Sequence, residues 1–114
     1  DIKSLKLNLS FGTYEKIGFL DDLFNMFPSS WTTFVAAGND GFEDVVNPGK
    51  AYRAIPVGAL DSSGKKAKYS NYGSNVFAWE IGEIDFNGKI YKGTSFASPH
   101  RAYKSVIDDL KNND

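Results

Sequence analysis

A chain of 114 residues with 41% hydrophobic and 24% charged residues has the balance of one folded domain, not of a disordered tract. The net charge of −1 gives no electrostatic footprint for nucleic acid or an acidic membrane surface, and the absence of cysteine removes disulfides, thiolate catalysis and Cys-ligated metals. No run is long and apolar enough to span a bilayer, no signal-peptide pattern is present, and the opening "DIKSL", which lacks Met, reads as a position inside a longer chain.

The elements follow one another without repeats or linkers. "LKLNLSF" alternates Leu5, Leu7 and Leu9 with polar residues, the period of a strand. In "YEKIGFLDDLFNMF", Ile17, Leu20, Phe24 and Phe27 recur at helical spacing, and Phe19, Leu23 and Met26 widen the apolar face. Pro28, Ser29 and Ser30 end that helix. "WTTFVAA" predicts a second strand, stopped by "GNDG", and "AIPVGAL" a third, bounded by "NPGKAYR" and "DSSGKK". "NVFAW" and "GKIY" predict short strands around the turn "FNG". From Thr94 to about Leu110 the pattern is helical, with Phe96, His100, Tyr103, Val106, Ile107 and Leu110 along one side and Arg101, Lys104, Asp108 and Asp109 along the other. This order predicts a layered α/β domain with a mainly parallel sheet and flanking helices.

The chemistry concentrates in "KGTSFASPH". Read alone, Thr94 or Ser95 is simply the N-cap of the last helix, and caps are far commoner than nucleophiles. Read as chemistry, Ser95 sits at a helix N-terminus, where orphan N–H groups and the helix dipole favour a developing negative charge. A serine hydroxyl attacks a carbonyl only if a base takes its proton. "GND" is likewise, by itself, an ordinary turn.

Four stretches together resemble the subtilisin-like serine proteases. "GTSFASP" resembles their nucleophile motif G-T-S-x-A-x-P, matched at Gly93, Thr94, Ser95, Ala97 and Pro99. "FVAAGNDG" resembles the strand and loop that end in the oxyanion-hole asparagine, matched at Ala37, Gly38 and Asn39. "LNLSFG" resembles the substrate-binding strand, with Ser10, Phe11 and Gly12, and "NPGKAYRAIPVGALDSSGKKAKYSNYGSNV" resembles the segment lining the specificity pocket. The resemblance covers nearly the whole chain. It implies that residues 1–114 are a single, incomplete domain, the C-terminal part of a peptidase with a partial three-layer subtilisin-like fold. It implies Ser95 as nucleophile, with the Asn39 amide and the Ser95 N–H meeting the oxyanion. Ser10 to Gly12 would offer an edge to an extended peptide or protein substrate. Ala36, Ala37 and Gly38, with Asn47 to Gly49, would wall the pocket, Gly38 letting the backbone pass close to substrate. Asp40 is either a rim charge or a solvated turn residue. Asn47–Pro48 falls where the family can carry a cis proline.

The base is missing. The single histidine, His100, lies five residues past Ser95, well round the helix, and reads as a structural histidine. The family's D-[ST]-G and H-G-T motifs do not occur, and no aspartate has their context. Three departures accompany this: "HRAY" in place of H-V-A-G, with Arg101 and Tyr103 where small residues are usual; "AWEIG" with Trp79 where a proline is usual; and a short strand between pocket and motif. A phenol and a cation in a crowded core would be costly. Two readings follow. The chain is a peptidase segment whose His and Asp come from an N-terminal half or partner chain, or it is an inactive pseudoprotease that binds peptides or serves as a structural module. As a fragment it should pair or self-associate through unpartnered strand edges. No cofactor is expected. Calcium enters only through the resemblance, and Asp40, Glu43 and Asp44 show no ligand spacing. Secretion is compatible with the resemblance.

Overall fold

Four strands form one parallel sheet in the order β1 (Leu5–Leu9), β2 (Trp31–Ala36), β3 (Ala54–Leu60), β4 (Ala78–Ile81). They belong to a computed structural model that describes residues 4–112; residues 1–3, and with them most of the opening "DIKSL", lie outside it, as do 113–114. Helix α1 (Gly18–Met26) connects β1 to β2, and helix α2 (Thr94–Asn112) closes the chain. The apolar runs of β2 and β3 are those of strands covered on both faces. Phe34, Val57 and Ala59 pack on Ala97 and Ala102 of α2, while Val35 and Ala54 pack on Phe24 of α1. Helices on opposite faces of a parallel sheet make the three-layer α/β arrangement that the sequence predicts.

Several elements differ from their sequence reading. Helix α1 starts at Gly18 rather than near Tyr14, because Thr13 pairs with Asn47 and holds the preceding residues off the helix (Thr13 N–H to Asn47 O 2.9 Å, Asn47 N–H to Thr13 O 2.6 Å). Its nine residues bury only one side: Phe24 is buried, whereas Phe19, Leu23 and Met26 are exposed. Its end is closed by Arg53, at a φ of 75°, whose guanidinium donates to the carbonyls of Phe24 (3.2 Å), Phe27 (2.7 Å) and Pro28 (2.7 Å). A cation on the last carbonyls answers both the orphan acceptors and the helix dipole.

"NVFAW" and "GKIY" are not partners. The first contributes only its last residues to β4, which runs on to Ile81 beside β3. The hairpin instead pairs β5 (Glu83–Phe86) with β6 (Lys89–Lys92), and its turn carries Asn87 and Gly88 at φ 54° and 77°, as a two-residue hairpin requires.

Helix α2 buries residues that the sequence reading placed on neither side, while Phe96, His100 and Ile107 of the expected stripe are half-buried. Thr94, Ala97, Ser98 and Ala102 face the sheet; Tyr103, Val106 and Leu110 are exposed. Small side chains let the helix backbone lie close against the strands, and Ser98 donates a hydrogen bond to Asn8 of β1. The charged side is not simply wet: Asp109 meets Lys6 of β1 (3.1 Å) and Lys104 meets Glu80 of β4 (3.0 Å), one at each edge strand. Tyr103 is 62% exposed, so the cost expected for a phenol in the core does not arise among the described residues. The Arg101 guanidinium lies 6.0 Å from the Phe34 ring.

Candidate active site

The C-terminal ends of β1 and β2 meet the N-terminus of α2, the position where open α/β sheets hold ligands. Ser10, Phe11, Gly12, Ala36, Gly38, Asn39 and Ser95 line one cleft of about 180 Å³ there, together with Asp40, Val46 and Thr94. Residues 85 positions apart in the chain are thereby brought into contact. Larger hollows, about 700 Å³ beside Tyr52 and Phe77 and about 300 Å³ beside α1, hold neither serine nor histidine. Ala37 does not reach the cleft: it is fully buried, and its carbonyl accepts from Val46 N–H (3.0 Å) and Asn71 Nδ2 (3.1 Å). Asn47 to Gly49 do not wall the cleft either; Val46 does. The Asn47–Pro48 peptide is cis.

Thr94 aligns the asparagine. Its N–H (2.8 Å) and its hydroxyl (2.9 Å) both donate to Asn39 Oδ1, and the same hydroxyl accepts from Gly38 N–H (3.1 Å). With Oδ1 occupied twice, the amide presents Nδ2 as its remaining arm, a donor on an exposed residue of the cleft. One residue on, the Ser95 N–H lies in the first turn of α2 and has no intrahelical acceptor. Two donors at a helix N-terminus suit a developing oxyanion.

Ser95 and Ser10 clasp one another. Ser95 Oγ donates to Ser10 O (3.0 Å), and Ser10 Oγ donates to Ser95 O (2.9 Å) while accepting from Asn8 Nδ2 (2.9 Å). A carbonyl oxygen holds the serine hydrogen but is not a base that removes it. His100 is elsewhere: its Nδ1 lies 3.3 Å from Ile81 O and 3.7 Å from the Glu80 carboxylate. Burial pushes the Glu80 carboxyl up, but the Lys104 ammonium, the Ile81 N–H and His100 outweigh it, and its pKa lies below the ordinary value.

Asp40 is at the mouth of the cleft, where Tyr14 OH donates to it at 2.6 Å. Desolvation and that bond raise the Tyr14 phenol above its ordinary value, keeping it a donor. The acidic residues considered for calcium do not fit one. Asp40 accepts from Tyr14, Asp44 is engaged by Lys50 (3.0 Å), and no three His, Cys, Asp or Glu gather among the described residues. Tyr14 and the buried Asn71, which joins Tyr14 to the Asn39 loop, are contacts that sequence reading missed. Neither carries a local pattern that would single it out.

Residues 7–105 match the model of the Subtilase family. The chain is 37% identical over 105 residues to the Subtilisin-like protease 2 of Arthroderma otae, covering 84% of this chain and 25% of that protein. It is 41% identical over 92 residues to the Cuticle-degrading serine protease of Arthrobotrys oligospora, covering 73% and 22%. Among solved structures it superposes on a cold adapted subtilisin-like serine proteinase with a TM-score of 0.80 at 26% identity, covering 95% of this chain and 42% of that one. The chain thus spans about a quarter of the length of the curated relatives it matches.

Proposed function

The chain belongs to the subtilase family of subtilisin-like serine proteases, and from that premise we propose that it supplies the nucleophile and the oxyanion hole of a serine endopeptidase. Its substrate is an extended peptide or protein segment lying along Ser10 to Gly12. Ser95 Oγ, giving its proton to the general base, attacks the scissile carbonyl; the C–N bond breaks, the amine leaves with that proton, and water then hydrolyses the acyl-enzyme to free Ser95. The Asn39 amide and the Ser95 N–H stabilise the oxyanion at each step. The observation that carries this reading is the double hold of Thr94 on Asn39 Oδ1, which leaves Nδ2 to donate beside Ser95. Asp40 at the mouth favours basic or polar side chains before the scissile bond. The general base and its orienting carboxylate come from residues outside this chain, from the rest of the same polypeptide or from a partner, and the isolated segment is inert.

The test is hydrolysis of extended peptides by the full-length protein. Wild type should cleave them, and Ser95→Ala should remove cleavage to within background while leaving peptide binding intact. A second reading, a peptide-binding pseudoprotease, is favoured by the engagement of the only histidine with β4. It gains if wild type binds peptide with the affinity of Ser95→Ala and neither cleaves.

A further inference from the structure

Asn71 has no exposed surface, and its side chain makes three hydrogen bonds to the loop that carries Asn39 and one to Tyr14. Its Oδ1 accepts from Asp40 N–H (3.0 Å) and Phe42 N–H (3.1 Å). Its Nδ2 donates to Ala37 O (3.1 Å) and to Tyr14 OH (2.9 Å), the hydroxyl that in turn holds Asp40. Its own N–H donates to Gly38 O (2.9 Å). The bonds therefore fall on both sides of Asn39, at Ala37 and Gly38 before it and at Asp40 and Phe42 after it. Gly38 closes the arrangement: its φ of 117° lies in the left-handed region, and a Cβ there would run into the Asn71 amide. The close approach that this glycine permits is to Asn71.

We infer that Asn71 is a positioning residue: it fixes the Ala37–Phe42 loop so that Asn39 presents its amide to the oxyanion, and through Tyr14 it sets the Asp40 carboxylate at the cleft mouth. The geometry separates its two arms. Backbone pairing of Asn71 N–H with Gly38 O and of Gly41 N–H with Tyr69 O does not depend on the side chain. The hold on Asp40 and Phe42 does, so its removal loosens the loop on the far side of Asn39 and leaves the fold standing.

This inference rests on Asn39 being the oxyanion donor, and two measurements on the full-length protein keep the two claims apart. The first is a kinetic cycle of wild type, Asn71→Ala, Asn39→Ala and the double variant on an extended peptide substrate. Asn71→Ala should lower kcat about 10- to 100-fold, the scale of a ~1 Å misplacement, with KM moving less than about threefold. In the Asn39→Ala background the same substitution should add almost nothing, because the donor it aims is gone. Losses that multiply in full would overturn the inference and leave Asn71 a stabilising residue only. The second is amide hydrogen exchange, which needs no turnover. Asn71→Ala should unprotect Asp40 and Phe42 N–H while Ala59 N–H, held by Ser70 Oγ, stays protected. Unchanged protection at Asp40 and Phe42 would overturn the inference even if wild type proves inactive, and inactivity of wild type would sink the reading of Asn39 alone. Should Asn71→Ala not fold, Asn71→Ser, which keeps one acceptor too short to span both N–H groups, replaces it in both measurements.

Discussion

Thr94 removes the usual ambiguity of an asparagine amide, because two donors on one oxygen fix which end is which. Under the proposed function, that makes Asn39 the residue on which the chemistry turns after Ser95. In the full-length protein Asn39→Ala should lower kcat by about 10²- to 10³-fold with little change in KM, a range that comes from subtilisin itself. Steady-state kinetics on one peptide check this, and a loss confined to KM would move Asn39 from the oxyanion to ground-state binding. These residues were legible in the sequence because chemistry demands fixed types at short spacing: "GTSFASP" and "GND" sit within single turns of chain. Asn71 and Tyr14 were not. Their contact joins positions 57 apart, and no local period announces it.

At the scale of elements, β2 and β3 follow from apolar runs that any covered parallel strand must have, and the edge strand β1 from its alternation of leucines with polar residues. Helix α2 shows where periodicity misleads. The bulky stripe of Tyr103, Val106 and Leu110 outweighs Ala97, Ser98 and Ala102 in any hydrophobic count, yet the small residues are the ones against the sheet. Close backbone packing selects for size, not for hydrophobicity. The same helix is tied to the edge strand β4 through Glu80, which is 7% exposed and bonded to Lys104 and to Ile81 N–H. A carboxyl whose folded pKa lies below its unfolded value stabilises the fold above the ordinary range and loses that contribution as the pH falls through the folded value. Glu80→Gln should therefore cost on the order of 1–2 kcal/mol at neutral pH, the low end for a charge-assisted hydrogen bond because the Lys104 side chain is half exposed to solvent. The gap between the melting curves of wild type and variant should close as the pH falls below the carboxyl's ordinary 4.5. A gap that widened in acid would mean that Glu80 is not the charged partner in the fold.

For the whole molecule, the sheet ends at β1 on one side and β4 on the other, with α2's apolar stripe uncovered between them. A four-stranded parallel sheet whose two edges are open among the described residues is a template for association. The 114-residue segment alone should self-associate or melt broadly; a sharp melt of a monomer in sedimentation and calorimetry would contradict that. The solved subtilisin-like proteinase has more than half its length outside the matched region, and under the proposed function the counterpart of that length supplies both the cover for the two edges and the general base. The most direct measurement is labelling with a fluorophosphonate, followed by mass spectrometric location of the adduct, on the full-length protein and on the isolated segment. An adduct is expected at Ser95 in the full-length protein and none in the segment, because under the proposed function only the former holds a base for the hydroxyl. No adduct at Ser95 in either, or an equal adduct in both, would contradict it.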